Sequence, residues 1–369
     1  MKKTVGVLYG GKSGEHEVSR CSAASVFSSI DRARFDVVAI GVDRDGRWYP
    51  QEPASFTEDP AFGRVLELKK QGTWLVSHFA SGDRLVMHET GSGRTVAVDV
   101  VFPIIHGTNG EDGTLQGLLE LASVPYVGPG VLGSSAGMDK DCTKRLLLEQ
   151  GIPVVPWITV SRLEWKTGTD AILAKIDAEI GYPFFVKPAN AGSSVGIHKV
   201  KDRASAAEKI ADSLRYDTKV LIEKSVSCRE IECAVLGNEL PRASVLGEII
   251  PSHEFYSYEA KYIDAEGAKL AIPAPLDSEY AGKIRADAVK AFKALYLEGL
   301  SRIDFFVEKD TGRYYLNEVN TLPGFTSISM YPKLWEQSGL PYGALLSELL
   351  ELAFARHAER KNIETKFLR

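Results

Sequence analysis

The sequence predicts a protein of mixed α/β and α+β structure that is divided into two or three domains. The chain has 369 residues, which is too long for one ordinary hydrophobic core. Residues 4–42 have the pattern strand, helix, strand, which is the beginning of a β-α-β unit. The last third is instead rich in successive strands, so the chain combines more than one arrangement of helices and strands.

The elements of the N-terminal part are each predicted from a local pattern. Short apolar runs indicate buried strands at 4–9, 35–42 and 99–105. Alternating runs with turn residues indicate an inserted set of small strands over 44–98. Helices are predicted at 17–30, 115–122 and 139–150, and Gly151 ends the last of them.

The rest of the chain contains two further groups of elements. The first group has strands at 156–160, 184–187, 197–200 and 219–223, with helices at 170–180 and 202–214. The second has strands at 229–236 and 242–249, helices at 278–296 and 342–359, and a hairpin between those helices. The long loop 251–269 is too charged for a core, and loops of this length in compact domains are typically lids.

The composition excludes several classes of protein. With 25% charged residues and a formal net charge of -5, the chain is predicted to be soluble and globular, without non-specific affinity for nucleic acid or anionic membranes. No apolar run approaches the roughly 18 residues of a membrane span. The four cysteines form no C-x-x-C pair, which fits a reducing cytoplasm.

The segment 302–324 predicts an antiparallel hairpin that carries a metal site. Two strand patterns flank an Asp-Thr-Gly turn, and Glu318 and Asn320, two residues apart, lie on one face of the second strand. Asp304 can meet them across the ladder. Two carboxylates and an amide oxygen suit Mg²⁺, and Arg302 beside them suits phosphate oxygens. The alternative is a surface hairpin with solvated charges.

A glycine-rich segment follows the first strand. Residues 6–13 match the phosphate-binding pattern G-x-x-x-x-G-K-[ST], but Gly6 lies inside the strand and Gly14 disfavours a helix directly after the lysine. We therefore interpret the segment as a turn before a helix, with Glu15 near the carboxyl edge of the sheet, where ligands bind. His106 follows the strand 99–105 and is expected at the same edge. An acidic residue that only favours the helix dipole is the alternative for Glu15.

Two segments of the middle group suit a nucleotide. Lys187 ends a strand and precedes a loop of small residues at 188–196, whose backbone N–H groups can cover phosphates while the lysine supplies a charge. Residues 221–226 end a strand with Glu223 and continue with apolar positions, which suits a purine base and a ribose. A flexible linker and an ordinary strand end are the alternatives.

Taken together, these segments resemble the D-alanine-D-alanine ligases of the ATP-grasp fold. The matching blocks run in order over nearly the whole chain and are 10–19, 106–113, 138–140, 187–196, 223–224, 259–262, 302–304 and 317–324. The resemblance implies a three-domain architecture with an N-terminal Rossmann-like domain. The implied domains are 1–128, which carries the insertion 44–98, then 129–222, and then 223–369, which carries the lid loop 251–269.

The resemblance also implies the function and the roles of individual residues. It implies ATP-dependent ligation of two D-alanines through an acyl phosphate, for peptidoglycan precursor synthesis. The implied ATP contacts are Lys144, Lys187, Ser193, Ser194, Glu223, Lys224, Ser225, Val226, Glu230, Lys261 and Asn317. Among them, Lys144 and Lys187 would contact phosphates. The adenine would be contacted by Glu223 and by the backbone of 224–226, and the ribose would be contacted by Glu230. Two Mg²⁺ ions, or Mn²⁺ in their place, would be held by Asp304, Glu318 and Asn320.

The remaining implied roles concern the two D-alanines. Glu15 would hold the first ammonium within a hydrogen-bonded set that includes Ser193 and Tyr262, and His106 lines the same pocket. Lys261 would contact the transferred phosphate. The oxyanion would be held by Arg302 and the Gly324 N–H, and the second carboxylate by Ser329 and Met330. Met330 stands where leucine is common in the family. Because the implied contact with the carboxylate is made by the backbone, this difference should not change the chemistry.

Three alternatives follow from the same residues. The first is a D-alanine-D-lactate ligase of the same fold, although phenylalanine at the position of Tyr262 accompanies hydroxy-acid use in the family. The second is a catalytically silent nucleotide-binding module, and the third is a P-loop kinase. The resemblance implies a homodimer, with small molecules as partners and no nucleic acid or membrane.

Overall fold

The computed structural model describes residues 2–77, 82–251, 268–326 and 328–364. Within these ranges no helix is both long enough and apolar enough to cross a membrane. The N-terminal part contains β1 (Lys3–Gly10), α1 (His16–Ser29), β2 (Phe35–Val42), β3 (Trp48–Gln51), β4 (Phe56–Asp59), β5 (Gly63–Leu66), β6 (Trp74–Ser77), β7 (Leu85–Glu89), β8 (Thr95–Val98), β9 (Val100–Ile104), α2 (Thr114–Leu121), α3 (Val131–Met138) and α4 (Lys140–Glu149).

The N-terminal sheet places two predicted loops at one edge. Its strand order is β3-β2-β1-β9, with β1 parallel to β2 and β9, and β3 antiparallel at one side. Val7, Leu8 and Ile104 are buried in it. Because the carboxyl ends of β1 and β9 are adjacent, the segments that follow them, which carry Glu15 and His106, meet at this edge, as predicted.

The P-loop interpretation of residues 6–13 is wrong. Gly6 lies within β1, and a Cβ there would come within 3.1 Å of the Ile40 and Val98 side chains. The helix begins at His16 and not at the lysine. The chain instead turns at Gly10, where φ is +92° and a Cβ would lie 2.2 Å from the Val42 carbonyl oxygen. The predicted glycine-rich turn is thus confirmed.

The segment 44–98 forms the predicted set of small strands. β4 and β5 form a two-stranded sheet, and β6, β7 and β8 form a three-stranded antiparallel sheet. Leu66 from β5 packs against the core under the N-terminal sheet. Leu85 and Met87 from β7 pack with Leu8 and Ile40. The insertion therefore extends the hydrophobic core of this part of the protein.

The central part is a separate antiparallel sheet with two helices. Its order is β10-β13-β11-β12, and its core includes Ile176, Phe184, Val186 and Ile210. Its elements are β10 (Trp157–Ser161), α5 (Arg162–Glu179), β11 (Phe184–Pro188), β12 (His198–Val200), α6 (Arg203–Ser213) and β13 (Lys219–Lys224).

Helix α5 begins eight residues earlier than the predicted start at 170. Ser161 and Glu164 form a capping box, in which each side chain accepts the other residue's backbone N–H. Gly168 has non-helical backbone angles, so the helix contains a kink where the sequence suggests a break.

The C-terminal part is built on a five-stranded antiparallel sheet in the order β16-β15-β14-β17-β18. Asp304 of β17 lies directly opposite Glu318 of β18, which confirms the predicted hairpin. The elements are β14 (Cys228–Gly237), β15 (Arg242–Pro251), β16 (Ala268–Ala271), α7 (Ser278–Ala294), β17 (Gly299–Glu308), β18 (Tyr314–Asn320), α8 (Met330–Gln337) and α9 (Tyr342–Lys361).

Two helices in the described part of the chain were not predicted from the sequence. Helix α3 consists mostly of small residues, and its glycines allow close packing: a Cβ at Gly137 would lie 2.6 Å from Thr321 Cγ2. Helix α8 carries Pro332 in its first turn, where the missing N–H costs no helical bond. Intrinsic propensity disfavours helix α3, and the tertiary contacts override it.

The predicted domain boundaries remain predictions. β13 continues to Lys224, so the predicted boundary after residue 222 falls inside a strand. Most of the predicted lid loop, residues 252–267, lies outside the described residues.

Candidate active site

Two contacts between different parts of the chain bring the predicted site residues together. The loop after β11 reaches the N-terminal part, where Ser193 Oγ donates a hydrogen bond to Glu15 Oε1. Lys187 Nζ donates to Asn317 Oδ1 at 3.3 Å, which joins the central sheet to the C-terminal hairpin. The candidate site therefore lies where the three parts of the chain meet.

Glu15 is enclosed by backbone on two sides. A Cβ added to Gly107 would lie 2.8 Å from Glu15 Oε2, and one added to Gly192 would lie 2.9 Å from the same atom. Ser193 has left-handed backbone, with φ of +48°, which non-glycine residues seldom adopt. This close packing fixes the Glu15 carboxylate at the junction. Tyr262, the predicted third member of the set, lies outside the described residues.

His106 ties the N-terminal part to the loop after β18. Its Nε2 lies 3.1 Å from Ser22 Oγ and its Nδ1 lies 3.2 Å from the Leu322 carbonyl oxygen. The ring is buried, and burial lowers its pKa, so the imidazole is neutral near pH 7. His106 therefore connects α1 to the loop after β18, and its predicted contact with substrate stays a prediction.

Glu111 is a second connection that sequence reasoning did not assign. Its Oε2 accepts the Gly107 N–H at 2.6 Å, and its carbonyl oxygen accepts from Thr321 Oγ1 at 3.0 Å. Burial, and then the charge of Glu15, raise the pKa of Glu111 well above its usual value. Its place in the 106–113 block was the only sequence signal.

Two buried lysines share one carboxylate in the central part. Glu223 Oε1 lies 2.8 Å from Lys187 Nζ, and Glu223 Oε2 lies 2.9 Å from Lys144 Nζ. Burial alone would raise the pKa of Glu223, but the two ammonium groups outweigh burial and lower the pKa to about 2. Glu223 therefore holds the two lysines in place, and the adenine contact that the resemblance implies for it stays a prediction.

Lys140 is a further lysine at the site that was not among the predicted residues. Its Nζ donates at 2.8 Å to the carbonyl oxygen of Ala191, in the loop of small residues. Burial lowers the pKa of Lys140, and Glu318 is the acidic group that most strongly opposes that shift. Lys140 thus lies between the loop and the hairpin. Lys140 is the first residue of α4, and its only sequence signal was its place in the matching block 138–140.

The predicted adenine and ribose residues lie at the adjacent end of the central sheet. The backbone N–H of Lys224 donates to the Pro156 carbonyl at 3.0 Å, and that of Ser225 donates to the Pro183 carbonyl at 3.2 Å. Val226 is partly buried in the connection to β14. Glu230 lies on β14 of the neighbouring five-stranded sheet, and its charge helps to raise the pKa of Lys187. Ser194 lies in the loop beyond β11, with φ of +62°.

The hairpin gathers the predicted metal ligands. Arg302 Nε and Nη2 donate to the two oxygens of Asp304 at 2.8 and 2.7 Å. Asn320 Nδ2 donates to Asp304 Oδ2 at 2.9 Å, and Glu318 pairs with Asp304 across the ladder.

This donor set fits a hard cation that shares its ligands with a nucleotide. Among the side chains that the structure describes, no three His, Cys, Asp or Glu residues form a metal cluster. The two carboxylates and the amide oxygen of the hairpin are donors that suit Mg²⁺, which keeps open positions for phosphate oxygens and water.

The loop after β18 ends at a helix N-terminus. Ser329 is the N-cap residue of α8, and Met330 is its first residue. Ser329 Oγ accepts the Thr326 N–H at 2.9 Å, and a Cβ on Gly324 would lie 2.8 Å from that hydroxyl. Unsatisfied backbone N–H groups at such a terminus bind carboxylates. Of the remaining predicted residues, Lys261 lies outside the described part of the chain.

Comparison with known proteins gives a consistent picture. Residues 4–129 match the family model described as D-ala D-ala ligase N-terminus, and residues 146–351 match that described as D-ala D-ala ligase C-terminus. A D-alanine-D-alanine ligase of Heliobacterium modesticaldum is 45% identical over 383 residues, covering 100% of this chain and 99% of that protein. One of Shouchella clausii is 47% identical over 364 residues, covering 99% of this chain and 98% of that protein.

Solved structures agree with the sequence comparisons. The D-alanine-D-alanine ligase of Coxiella burnetii superposes with a TM-score of 0.80 at 36% identity, over 98% of this chain and 96% of that one. The VanG D-Ala:D-Ser ligase of Enterococcus faecalis gives a TM-score of 0.81 at 36% identity, over 96% of this chain and 100% of that one.

Proposed function

Because the chain belongs to the D-alanine-D-alanine ligase family, we propose from this premise how its residues divide the work of the reaction. The protein has the ATP-grasp fold of that family and is an ATP-dependent ligase. It joins two D-alanines through an acyl phosphate for peptidoglycan precursor synthesis. The predicted resemblance is confirmed. The contact of Ser193 with Glu15 carries the assignment of roles, since it joins the candidate nucleotide loop to the candidate amino-acid pocket.

The first step requires the D-alanine carboxylate to face the terminal phosphate of ATP. Glu15 holds the substrate ammonium, because its carboxylate is fixed between Gly107 and Gly192. Lys187 and Lys140 point toward the hairpin from two sides and neutralise the phosphates. Lys144 pairs with the same Glu223 carboxylate as Lys187, and we propose that it contacts phosphate as well.

A metal site completes the phosphate environment. Asp304, Glu318 and Asn320 would hold two Mg²⁺ ions, or Mn²⁺ in their place, and the phosphates would supply further oxygens. When bound, the metal neutralises charge that develops on the transferred phosphoryl group. The N–H groups and hydroxyls of the loop containing Ser193 and Ser194 cover the phosphates from the other side.

The second step requires donors at the acyl carbon. Arg302 and the Gly324 N–H stabilise the oxyanion of the tetrahedral intermediate. Ser329 and the backbone of Met330 hold the carboxylate of the second D-alanine at the N-terminus of α8. The roles of Lys261, Tyr262 and the lid loop stay predictions, because these residues lie outside the described part of the chain.

The predicted nucleotide contacts divide into two groups. Asn317 accepts from Lys187 and lies beside Glu318, so it belongs to the phosphate end. Lys224, Ser225, Val226 and Glu230 form the base and ribose end, although the Lys224 and Ser225 N–H groups already bond to the protein. We therefore propose that the backbone carbonyl oxygens of residues 224–226 are the hydrogen-bond acceptors for adenine.

The alternative functions are less well supported. Relatives covering the full chain are named D-alanine-D-alanine ligases, which disfavours a silent nucleotide-binding module. One structural neighbour is a D-Ala:D-Ser ligase, and this does not favour the D-lactate alternative.

The test is ATP-dependent phosphate release by the full-length protein. D-alanine, D-serine, D-lactate and L-alanine are supplied singly and with D-alanine, and products are identified by mass spectrometry. We expect ADP and D-alanyl-D-alanine in equal amounts, with L-alanine inactive. A dominant depsipeptide from D-lactate near neutral pH, or ADP release that does not depend on D-alanine, would overturn the assignment.

We further propose that the protein acts in the cytoplasm as a homodimer. The four cysteines all carry free thiols, which supports a reducing compartment. Light scattering after size-exclusion chromatography tests the dimer, and a mass of one chain, 40.4 kDa, at micromolar concentration would contradict it.

A further inference from the structure

A second carboxylate, that of Glu232, contacts Arg302, and none of the roles above accounts for it. Glu232 on β14 lies directly opposite Asp304 on β17, and Asp304 lies directly opposite Glu318 on β18. Directly opposite residues share one face of a sheet. One row of carboxylates therefore crosses three strands beside the guanidinium.

The contact between Glu232 and Arg302 is close and largely removed from water. Glu232 Oε2 lies 2.9 Å from Arg302 Nε, and Glu232 is 5% exposed. Asp304 bonds to the same guanidinium through both of its oxygens, at 2.8 and 2.7 Å. Carboxylates on two neighbouring strands thus orient one arginine.

Asp304 and Glu232 differ in whether they also have a proposed role in metal binding. Asp304 is also a proposed metal ligand. A divalent cation bound to its oxygens would neutralise the carboxylate charge that attracts Arg302, and the cation would also repel the guanidinium. Glu232 lies on the far side of Asp304 from Glu318, so its charge can remain with the arginine when the metal is bound. An arginine that aims at a developing oxyanion must stay fixed in that state.

We propose that Glu232 is a positioning residue that keeps Arg302 in place while Asp304 binds the metal. This inference rests on the proposed roles of Arg302 and Asp304. It assigns Glu232 no contact with substrate, and it explains why a carboxylate is buried in a row that already contains two others. The competing explanation is an ion pair that serves only the stability of the sheet.

The first experiment measures metal binding directly. Glu232→Gln keeps the size and removes the charge, and Mn²⁺ binding to the protein in the presence of ADP is followed by electron paramagnetic resonance. We expect binding about tenfold weaker, which corresponds to about 1.4 kcal/mol, because Asp304 must then serve both Arg302 and the metal.

The matched control is Glu248→Gln. Glu248 is also a buried carboxylate, 6% exposed, and it is bonded to an arginine, Arg229, at 2.8 and 2.7 Å. It pairs with Ile231, so it lies on the opposite face of the sheet from Glu232. We expect unchanged Mn²⁺ affinity in this variant. Equal effects in both variants, or none in Glu232→Gln, would overturn the proposal.

The second experiment asks whether Glu232 acts through Arg302. In Glu232→Gln we expect kcat for ADP release to fall about 10- to 100-fold with little change in KM for D-alanine. In an Arg302→Ala background the same substitution should cost less than twofold, whereas additive losses would contradict the proposal. Glu232→Asp, which keeps the charge, should restore part of the Mn²⁺ affinity and gives the test a second variant.

These outcomes are separable from those of the function itself. An inactive wild-type protein would reject the assigned reaction. An active wild-type protein whose Glu232→Gln variant binds Mn²⁺ normally would reject only the role of Glu232.

Discussion

The buried group formed by Lys144, Lys187 and Glu223 makes a quantitative prediction for stability. Glu223→Gln removes the carboxylate that lies 2.8 Å from one ammonium and 2.9 Å from the other. The pKa of Glu223 falls from its ordinary value of 4.5 to about 2, which corresponds to roughly 3 kcal/mol. Breaking a buried ion pair by removing one partner costs about 3–5 kcal/mol. We expect a loss of about this size in the free energy of unfolding at neutral pH.

The pH dependence of this loss has a definite sign. Because the folded pKa of Glu223 lies below the unfolded value, its stabilisation is complete above pH 4.5 and disappears as the pH falls toward 2. Urea unfolding followed by circular dichroism, from about pH 7 to about pH 3.5, gives the difference between wild type and variant. The difference should be constant in the upper part of this range and should shrink by about 1.4 kcal/mol per pH unit in the lower part.

Two controls make the experiment decisive. Glu279→Gln removes one partner of an exposed pair with Lys283 and should leave the urea midpoint unchanged. Adding Lys144→Met to Glu223→Gln should restore part of the stability, because it removes one of the two uncompensated charges. A Glu223→Gln variant that loses less than about 1 kcal/mol, or whose loss does not depend on pH, would refute the reasoning.

Three further predictions follow from the site. Gly192→Ala would place a Cβ 2.9 Å from Glu15 Oε2, so KM for D-alanine in the ADP-release assay should rise about tenfold while KM for ATP holds; equal rises would contradict this. His106→Ala leaves the buried Leu322 carbonyl without its 3.2 Å partner and should lower the free energy of unfolding by about 2–4 kcal/mol, and an unchanged urea midpoint would speak against it. Glu318→Gln should abolish ADP release with the circular dichroism spectrum retained, whereas wild-type turnover would reject the metal assignment.

The parts of the site that sequence predicted best are those set by short-range spacing. Glu318 and Asn320 had to share a face because side chains alternate along a strand, and the Asp-Thr-Gly turn fixed which residues of the first strand would oppose them. The register of Asp304 against Glu318 in the structure agrees with this. The edge position of Glu15 was predictable for a similar reason, since it follows the end of a parallel strand.

The parts that were missed depend on contacts between distant segments. Lys140 reaches Ala191, 51 residues away, and nothing in its local pattern distinguishes it from a solvated lysine. Lys144 and Glu223 were assigned to phosphate and adenine by resemblance, and only the folded chain shows them bonded to each other. His106 was placed at the correct edge, but its contact with the Leu322 carbonyl could not be predicted, because it depends on the loop after β18, which is 216 residues away.

Lys187 and Arg302 are each paired with a carboxylate of the protein itself, and this has a consequence for catalysis. Lys187 is paired with Glu223, and Arg302 is paired with Asp304 and Glu232. Such groups are oriented before the substrates arrive, so little reorganisation is required when charge develops on the phosphoryl group or on the oxyanion. The carboxylates also weaken the attraction of those cations for phosphate in the ground state. We therefore expect the charge-removing substitutions Glu223→Gln and Glu232→Gln to affect kcat more than KM for ATP, because the position of each cation, and not its charge alone, determines the rate.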